Sequence, residues 1–200
     1  MSSLVGTPAP AFRAATVMPD DAIREDFSLA ELRGRYAVLF FYPMDFSFVC
    51  PTEILAFDAR LAEFQERDCA VVGISVDSPY SHLAWKRTPP GEGGIGPVRY
   101  PLVSDLTKAI ARSYGVLADD AVALRATFLL DREGLVRHAT VNDMHLGRSV
   151  DETLRTLDAL RHLDSTGEVC PANWEKGRRA MKRTPAGVKK YLQEIRLDGR

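Results

Sequence analysis

The stretch Pro43-Met44-Asp45-Phe46-Ser47-Phe48-Val49-Cys50 carries the residue types that activate a single sulfur. It follows an apolar run, Tyr36 to Tyr42, and precedes apolar positions at helical spacing from Ile54 to Phe64. Cys50 is therefore expected in the first turn of a helix fed by a strand. Free backbone N–H groups and the positive end of the helix dipole favour a thiolate there, and the chemistry this suits is redox chemistry at sulfur. Ser47 lies three residues earlier and offers a hydroxyl to the sulfur or to an oxidant's oxygens. Pro43 stiffens the turn and has no N–H, so it can roof a pocket without competing for hydrogen bonds. A cation would stabilise both the thiolate and the charge developing on a leaving oxygen. Arg125, isolated in Ala123-Leu124-Arg125-Ala126-Thr127-Phe128, is the natural candidate, and a charge in such a run needs a partner. Glu53, one helical turn beyond Cys50, is placed to hold that guanidinium in a bidentate pair.

Taken singly, these residues have plainer readings. A cysteine at a helix start is often an inert core residue, and an arginine in a strand often points to solvent. Cys69 opens a buried apolar strand and reads as a small hydrophobe. Cys170, in Gly167-Glu168-Val169-Cys170-Pro171-Ala172-Asn173-Trp174, is either a second thiol able to reach an oxidised sulfur or a surface cysteine without a role. Three cysteines and no C-x-x-C disfavour both a disulfide framework and a structural zinc site. His82, His138, His145 and His162 show no metal-binding spacing and read as solvated or hydrogen-bonded histidines, so no metal is expected.

The elements that must position Cys50 follow from periodicity. Residues 1–35 read as short extended pieces and turns. Tyr36–Tyr42 reads as a buried central strand, residues 50–66 as a helix, and Cys69–Val76 as a second buried strand. These make a β-α-β unit with a parallel pair. Pro79–Arg87 is a short helix. The glycine-rich loop from Pro89 to Gly96 lacks Gly-Lys-Ser/Thr and does not open a helix, which argues against a phosphate loop. Leu106–Tyr114 reads as a helix ending at Gly115. Leu124–Leu130 and Leu135–Val141 flank Asp131-Arg132-Glu133-Gly134 as a hairpin. Val150, Leu154, Leu157, Leu160 and Leu163 mark an amphipathic helix. From Ser165 a mobile arm carries Cys170 and ends in a short helix near Val188–Ile195. This order is that of an α/β, thioredoxin-like fold with N-terminal additions, residues 1–164, and a C-terminal arm, residues 165–200. In such layouts the reactive site lies beyond the carboxyl end of a central strand, where Cys50 falls.

The totals narrow the function. The 200 residues suit one domain with an extension, and a net charge of −1 gives no reason to expect nucleic acid or an anionic membrane as partner. The basic cluster Lys176, Arg178, Arg179, Lys182 and Arg183 reads as a solvated tail face. Met1 to Pro10 shows no positive region followed by an apolar core, and Tyr36 to Met44 is too short to span a bilayer, so the cytoplasm is the expected compartment.

The segment Phe41-Tyr42-Pro43-Met44-Asp45-Phe46-Ser47-Phe48-Val49-Cys50-Pro51-Thr52-Glu53 resembles the signature of the typical two-cysteine peroxiredoxins, the group that includes the peroxidase component of bacterial alkyl hydroperoxide reductase. The likeness continues through Val76-Asp77-Ser78, His82-Leu83-Ala84-Trp85, Arg99-Tyr100-Pro101-Leu102, Asp105-Leu106-Thr107-Lys108, Val141-Asn142-Asp143, Gly147-Arg148-Ser149-Val150-Asp151-Glu152 and Gly167-Glu168-Val169-Cys170-Pro171. The resemblance implies a thiol-dependent peroxidase acting on hydrogen peroxide and organic hydroperoxides, without metal, haem or flavin. It implies that Cys50 is the peroxidatic and Cys170 the resolving cysteine. Pro43 and Ser47 then belong to the P-x-x-x-T/S-x-x-C motif, Arg125 is the active-site arginine, and Glu53 supports it. It further implies a homodimer with an intersubunit disulfide, rings of five dimers, and recycling by a thioredoxin-like protein or a flavoprotein. Gly93-Gly94-Ile95-Gly96 matches the loop of oxidation-sensitive members, but Tyr191-Leu192 departs from their C-terminal Tyr-Phe. A thioredoxin-like disulfide oxidoreductase would need C-x-x-C and a proline between residues 115 and 130, and neither is present. A ring-forming chaperone is the non-enzymatic alternative, or a second role; it would not require Pro43, Ser47, Cys50 and Arg125 together.

Overall fold

The run Tyr36–Phe41 is apolar throughout because every one of its side chains is buried, as in a strand covered on both faces. The computed structural model describes residues 3–197, and the chain divides into two compact units, residues 1–150 and residues 151–200. The strands of the first unit are β1 (Arg13–Val17), β2 (Ile23–Ser28), β3 (Tyr36–Phe41), β4 (Cys69–Ser75), β5 (Leu102–Ser104), β6 (Leu117–Ala118), β7 (Val122–Ala123), β8 (Arg125–Leu130) and β9 (Val136–Asn142). Its α-helices are α1 (Cys50–Ala59), α2 (Leu61–Glu66), α3 (Pro79–Arg87) and α4 (Ala109–Ser113). Seven strands form one sheet in the order β2-β1-β5-β4-β3-β8-β9, while β6 and β7 pair separately. β3, β4 and β5 are mutually parallel, and β8 and β9 continue the sheet as an antiparallel hairpin. This is the expected α/β, thioredoxin-like layout with additions.

The sheet positions Cys50 through its apolar faces. On one face Phe40 stacks on Phe57 of α1 at 4.5 Å and meets the edge of Tyr100 at 5.7 Å. The Tyr100 hydroxyl donates to the Ile54 carbonyl at 2.7 Å, which fixes the height of α1 over the strand. On the other face Leu39, Phe41, Ile74 and Phe128 pack with Ile110 and Tyr114. Successive residues of β3 thus serve opposite cores, as the pleat requires.

Several elements differ from the sequence expectation. The helix expected over residues 50–66 is divided at Arg60, whose φ of −103° and ψ of 9° close α1 and open α2. α4 starts at Ala109 rather than Leu106. Lys108 adopts a left-handed φ of 60°, and the buried Asp105 carboxylate accepts the Ile110 and Ala111 amides at 3.0 and 2.7 Å. β5 has three residues, too few for a periodic signal, yet it extends the parallel sheet. The glycine loop folds back on α3. The Trp85 indole donates to the Gly93 carbonyl at 2.9 Å, and a Cβ at Gly94 would lie 1.9 Å from the Thr88 carbonyl oxygen.

The second unit contains α5 (Val150–Thr166) and α6 (Pro185–Leu197). The segment expected to be a mobile arm is pinned to α5. Arg155 donates to the Trp174 carbonyl at 2.8 Å, the His162 and Trp174 rings lie 5.0 Å apart, and Cys170 Sγ lies 3.5 Å from the Ala159 carbonyl. Val169 and Met181 form an antiparallel bridge. The last three residues of the arm read from the sequence lie outside the described residues. Among those described, no helix is long and apolar enough to cross a membrane.

Because Phe57 joins α1 to the sheet, Phe57→Ala should destabilise the protein by about 3–5 kcal/mol, measured by urea unfolding. A loss below about 1 kcal/mol would mean that α1 is held by its polar contacts instead.

Candidate active site

β3 delivers the chain to Pro43, which is buried, and the turn that follows ends at Cys50, the first residue of α1. Val49 supplies no side-chain cap and Pro51 occupies the first turn. The N–H groups of the first turn thus gain no side-chain acceptor from Val49, and Cys50 is fully buried among them. Arg125, the first residue of β8, donates from Nη1 to Cys50 Sγ at 3.2 Å and to Glu53 Oε2 at 2.7 Å. Its Nε donates to the Met144 carbonyl at 2.7 Å. One guanidinium nitrogen therefore bridges the sulfur and the carboxylate, and the rest of the group is fixed from behind.

Glu53 does have a bidentate partner, but it is Arg148 rather than Arg125. Arg148 Nε and Nη2 reach the two carboxylate oxygens at 2.8 Å each, and its backbone N–H adds a third bond at 2.9 Å. Arg148 Nη1 also donates to the carbonyls of Phe41 and Ala126 at 2.7 and 2.8 Å, and the guanidinium lies 5.3 Å from the centre of the Phe40 ring. Burial favours the neutral acid, yet Arg148 first and Arg125 after it hold the Glu53 carboxyl below its ordinary value. Two cations and one anion leave a net positive charge beside Sγ. That charge stabilises negative charge on the sulfur or on an oxygen leaving from it.

The Ser47 hydroxyl is half-buried and donates to the Met44 carbonyl at 2.9 Å rather than to the sulfur. Its oxygen retains lone pairs for an incoming O–H. Pro43, Ser47, Cys50 and Glu53 lie on one continuous turn and helix start, and Arg125 joins them across the sheet. Cys170 lies in the second unit, half-buried on α5. Arg148 was legible only as one residue of a family motif. The sequence signal that it should be a ligand of Glu53 is weak, since a buried carboxylate asks for more than one cation but does not say which.

Residues 5–139 match the AhpC/TSA family, and residues 159–194 match the C-terminal domain of 1-Cys peroxiredoxin. Alkyl hydroperoxide reductase C of Helicobacter pylori is 52% identical over 192 residues, covering 96% of this chain and 97% of that protein. Peroxiredoxin-1 of Gallus gallus is 47% identical over 193 residues, covering 96% of each chain. The crystal structure of reduced Plasmodium vivax 2-Cys peroxiredoxin superposes with a TM-score of 0.94 at 49% identity, covering 96% of this chain and all of that one.

The lowered Glu53 carboxyl carries a signed pH dependence. A depressed carboxyl contributes stability that is present above its unfolded value of about 4.3 and is lost as pH falls through the folded value. The melting temperature of the wild type should exceed that of Glu53→Gln by a constant margin at neutral pH, and the margin should shrink as pH falls below about 4. A margin unchanged down to about pH 3 would show that the carboxylate charge does not stabilise the fold.

Proposed function

The chain belongs to the AhpC/TSA family and is a thiol-dependent peroxidase; we propose that Cys50 is the sulfur that attacks the peroxide. The observation that carries this assignment is the single Arg125 nitrogen held 3.2 Å from Cys50 Sγ and 2.7 Å from Glu53. The thiolate attacks one peroxide oxygen in line with the O–O bond. That bond breaks, the sulfur becomes a sulfenic acid, and the second oxygen leaves with a proton as water or an alcohol. Arg125 is aimed at the charge that moves from sulfur to the leaving oxygen. Glu53 and Arg148 keep the guanidinium from turning away. Ser47 accepts a hydrogen bond from the peroxide O–H, and Pro43 roofs the turn without offering a donor.

In this reading Cys170 of a second copy condenses with the sulfenic acid, losing water and forming a disulfide that a dithiol protein or flavoprotein reduces. Burial, opposed by Arg155 and aided by Glu168, holds the Cys170 thiol above its ordinary value. It is thus a protonated thiol while it rests on α5, and gains reactivity on release. Hydrogen peroxide and organic hydroperoxides are the substrate class. The assembly is a homodimer, with β9 at the open edge of the sheet, and five dimers closing into a ring is the larger form. The cytoplasm, with its dithiol reductants, is the compartment that this cycle fits.

Cys50→Ser should abolish peroxide consumption while leaving the circular dichroism spectrum unchanged. Oxidised wild type should run as a dimer on a non-reducing gel, and Cys170→Ser should not; an intramolecular Cys50–Cys170 bond found by peptide mapping would exclude the step between two copies.

Arg125→Met should slow the first step by about a hundredfold or more, since a lost oxyanion-type donor costs roughly 2.7–4 kcal/mol. Stopped-flow measurement of Cys50 oxidation reads this directly, and a normal rate in the variant would remove Arg125 from the mechanism.

A further inference from the structure

The arm that carries Cys170 concentrates positive charge for which neither the packing nor the peroxide chemistry accounts. Between Trp174 and Lys190 it holds seven lysines and arginines against one acid, Glu175, in a chain whose net charge is −1. Glu175 approaches Arg178 at 4.0 Å, and Glu194 approaches Arg179 at 3.4 Å. Lys176, Lys182, Arg183, Lys189 and Lys190 are exposed, and among the described residues none of the five has a carboxylate within ion-pair distance. The helix that follows adds to this charge. α6 begins at Pro185 with no acid in its first turn, Lys182 and Arg183 precede it, and Lys189 and Lys190 lie within its first two turns. A helix N-terminus is the positive end of the dipole, so cations there destabilise the helix. Like charges gathered on one segment also repel one another. The cluster therefore costs the arm stability.

The same charge lies beside the Cys170 thiol. The Val169 N–H donates to the Met181 carbonyl at 2.8 Å, and the Met181 N–H donates to the Val169 carbonyl at 3.1 Å. In an antiparallel bridge the neighbours of one residue lie alongside the neighbours of the other, so the stretch from Arg179 to Lys182 runs past Cys170. This rim belongs to the same short segment as the thiol and travels with it. The large apolar residue of the segment, Trp174, is 3% exposed, so what the arm offers an incoming partner is charge. Recycling requires a protein that brings a thiolate to the Cys50–Cys170 disulfide. That thiolate attacks one sulfur, the S–S bond breaks, and the second thiol of the partner closes a disulfide within the partner. Two electrons and two protons pass to Cys50 and Cys170. A protein that does this must cover the surface around Cys170, whereas a nucleic acid or a lipid has no part in the cycle.

On the resolving role given above to Cys170, we propose that this basic rim is the docking surface for an acidic dithiol protein, and that charge selects that protein as the reductant of the Cys50–Cys170 disulfide. Its complementary feature is a ring of aspartates and glutamates beside its thiol pair. Lys176, Lys182 and Arg183 act on the encounter and take no part in the sulfur exchange. Complementary charge raises the rate of encounter more than the lifetime of the complex, which suits a reductant that must leave after every turnover. Because these side chains hold no ion pair, the partner's acids meet them without displacing an existing bond.

The test uses the full chain, oxidised with one equivalent of peroxide to the disulfide-linked dimer, and two synthetic peptides that share a Cys-Gly-Pro-Cys core. One peptide carries glutamates on both sides of the core and the other carries lysines. The rate at which each converts dimer to monomer on a non-reducing gel is divided by that peptide's rate with hydroxyethyl disulfide. That reference is neutral, so the division removes the effect of the flanking charges on the peptide's own thiols. At about 0.02 M salt the corrected rate of the acidic peptide should exceed that of the basic one by about tenfold or more, and the ratio should fall toward one at about 0.5 M salt. Lys176→Glu, Lys182→Glu and Arg183→Glu combined should bring the low-salt ratio to one or below, while stopped-flow oxidation of Cys50 keeps the wild-type rate. Where that variant does not form the linked dimer, Lys182→Ala with Arg183→Ala takes its place and should lower the low-salt ratio by about threefold or more. A wild-type ratio near one at low salt, a ratio that does not change with salt, or a ratio that the variant leaves unchanged overturns the acidic reductant. A complex of the reduced protein with a DNA oligomer at about 0.15 M salt, together with a peptide ratio near one, overturns it in favour of nucleic acid. A wild-type chain that forms no Cys50–Cys170 dimer overturns the resolving role of Cys170 and the docking surface with it, and the gel shows this before any peptide is added.

Discussion

A buried carboxylate held between two guanidinium groups governs the architecture of the site. Glu53 has no water to stabilise it, so its charge must be matched by groups that the fold brings to it. Arg148 supplies two side-chain bonds and a backbone bond, and Arg125 supplies one more. Arg148 also consumes the carbonyls at the ends of β3 and β8. The same residue thereby closes the sheet's exposed backbone and fixes the acid. The charge left over is carried by Arg125, and it acts on the sulfur.

This arrangement makes the sulfur's surroundings rigid on the helix side and releasable on the loop side. Behind α1, Phe57, Phe40 and Tyr100 form aromatic packing that is lost only when the unit unfolds. In front, the turn from Met44 to Val49 is held mainly by polar contacts of Asp45 and by the approach of Phe46 to Trp85 at 5.7 Å. Polar contacts can be exchanged for water at small net cost, whereas apolar packing cannot. Local opening at the Cys50 turn is therefore compatible with an intact core. In the second unit both kinds of contact hold the segment of Cys170 on α5, the hydrogen bond from Arg155 to the Trp174 carbonyl and the packing of Trp174 against His162.

Tyr36–Phe41, Cys69–Ser75, Pro79–Arg87 and the β8–β9 hairpin were legible in the sequence because each is long enough to show its period and is bounded by turn residues. β5 was not, because three residues have no period and its pairing depends on β4 and β1, which lie far off in the chain. The start of α4 was misplaced because the Asp105 cap acts through a left-handed Lys108 that no pattern announces.

The site divides the same way. Local order along the chain determined Pro43, Ser47, Cys50 and Glu53, since a strand, a turn and a helix start place them within one short stretch. The need of an isolated strand charge for a partner pointed to Arg125. Tertiary structure alone decided that Arg148, not Arg125, is the bidentate partner of Glu53, that the Ser47 proton goes to the Met44 carbonyl, and that Asp45 meets His82, 37 positions further along the chain. Buried charges and hydrogen-bond donors choose partners by proximity in space and by the absence of water. A linear sequence carries the groups but not the distances between them.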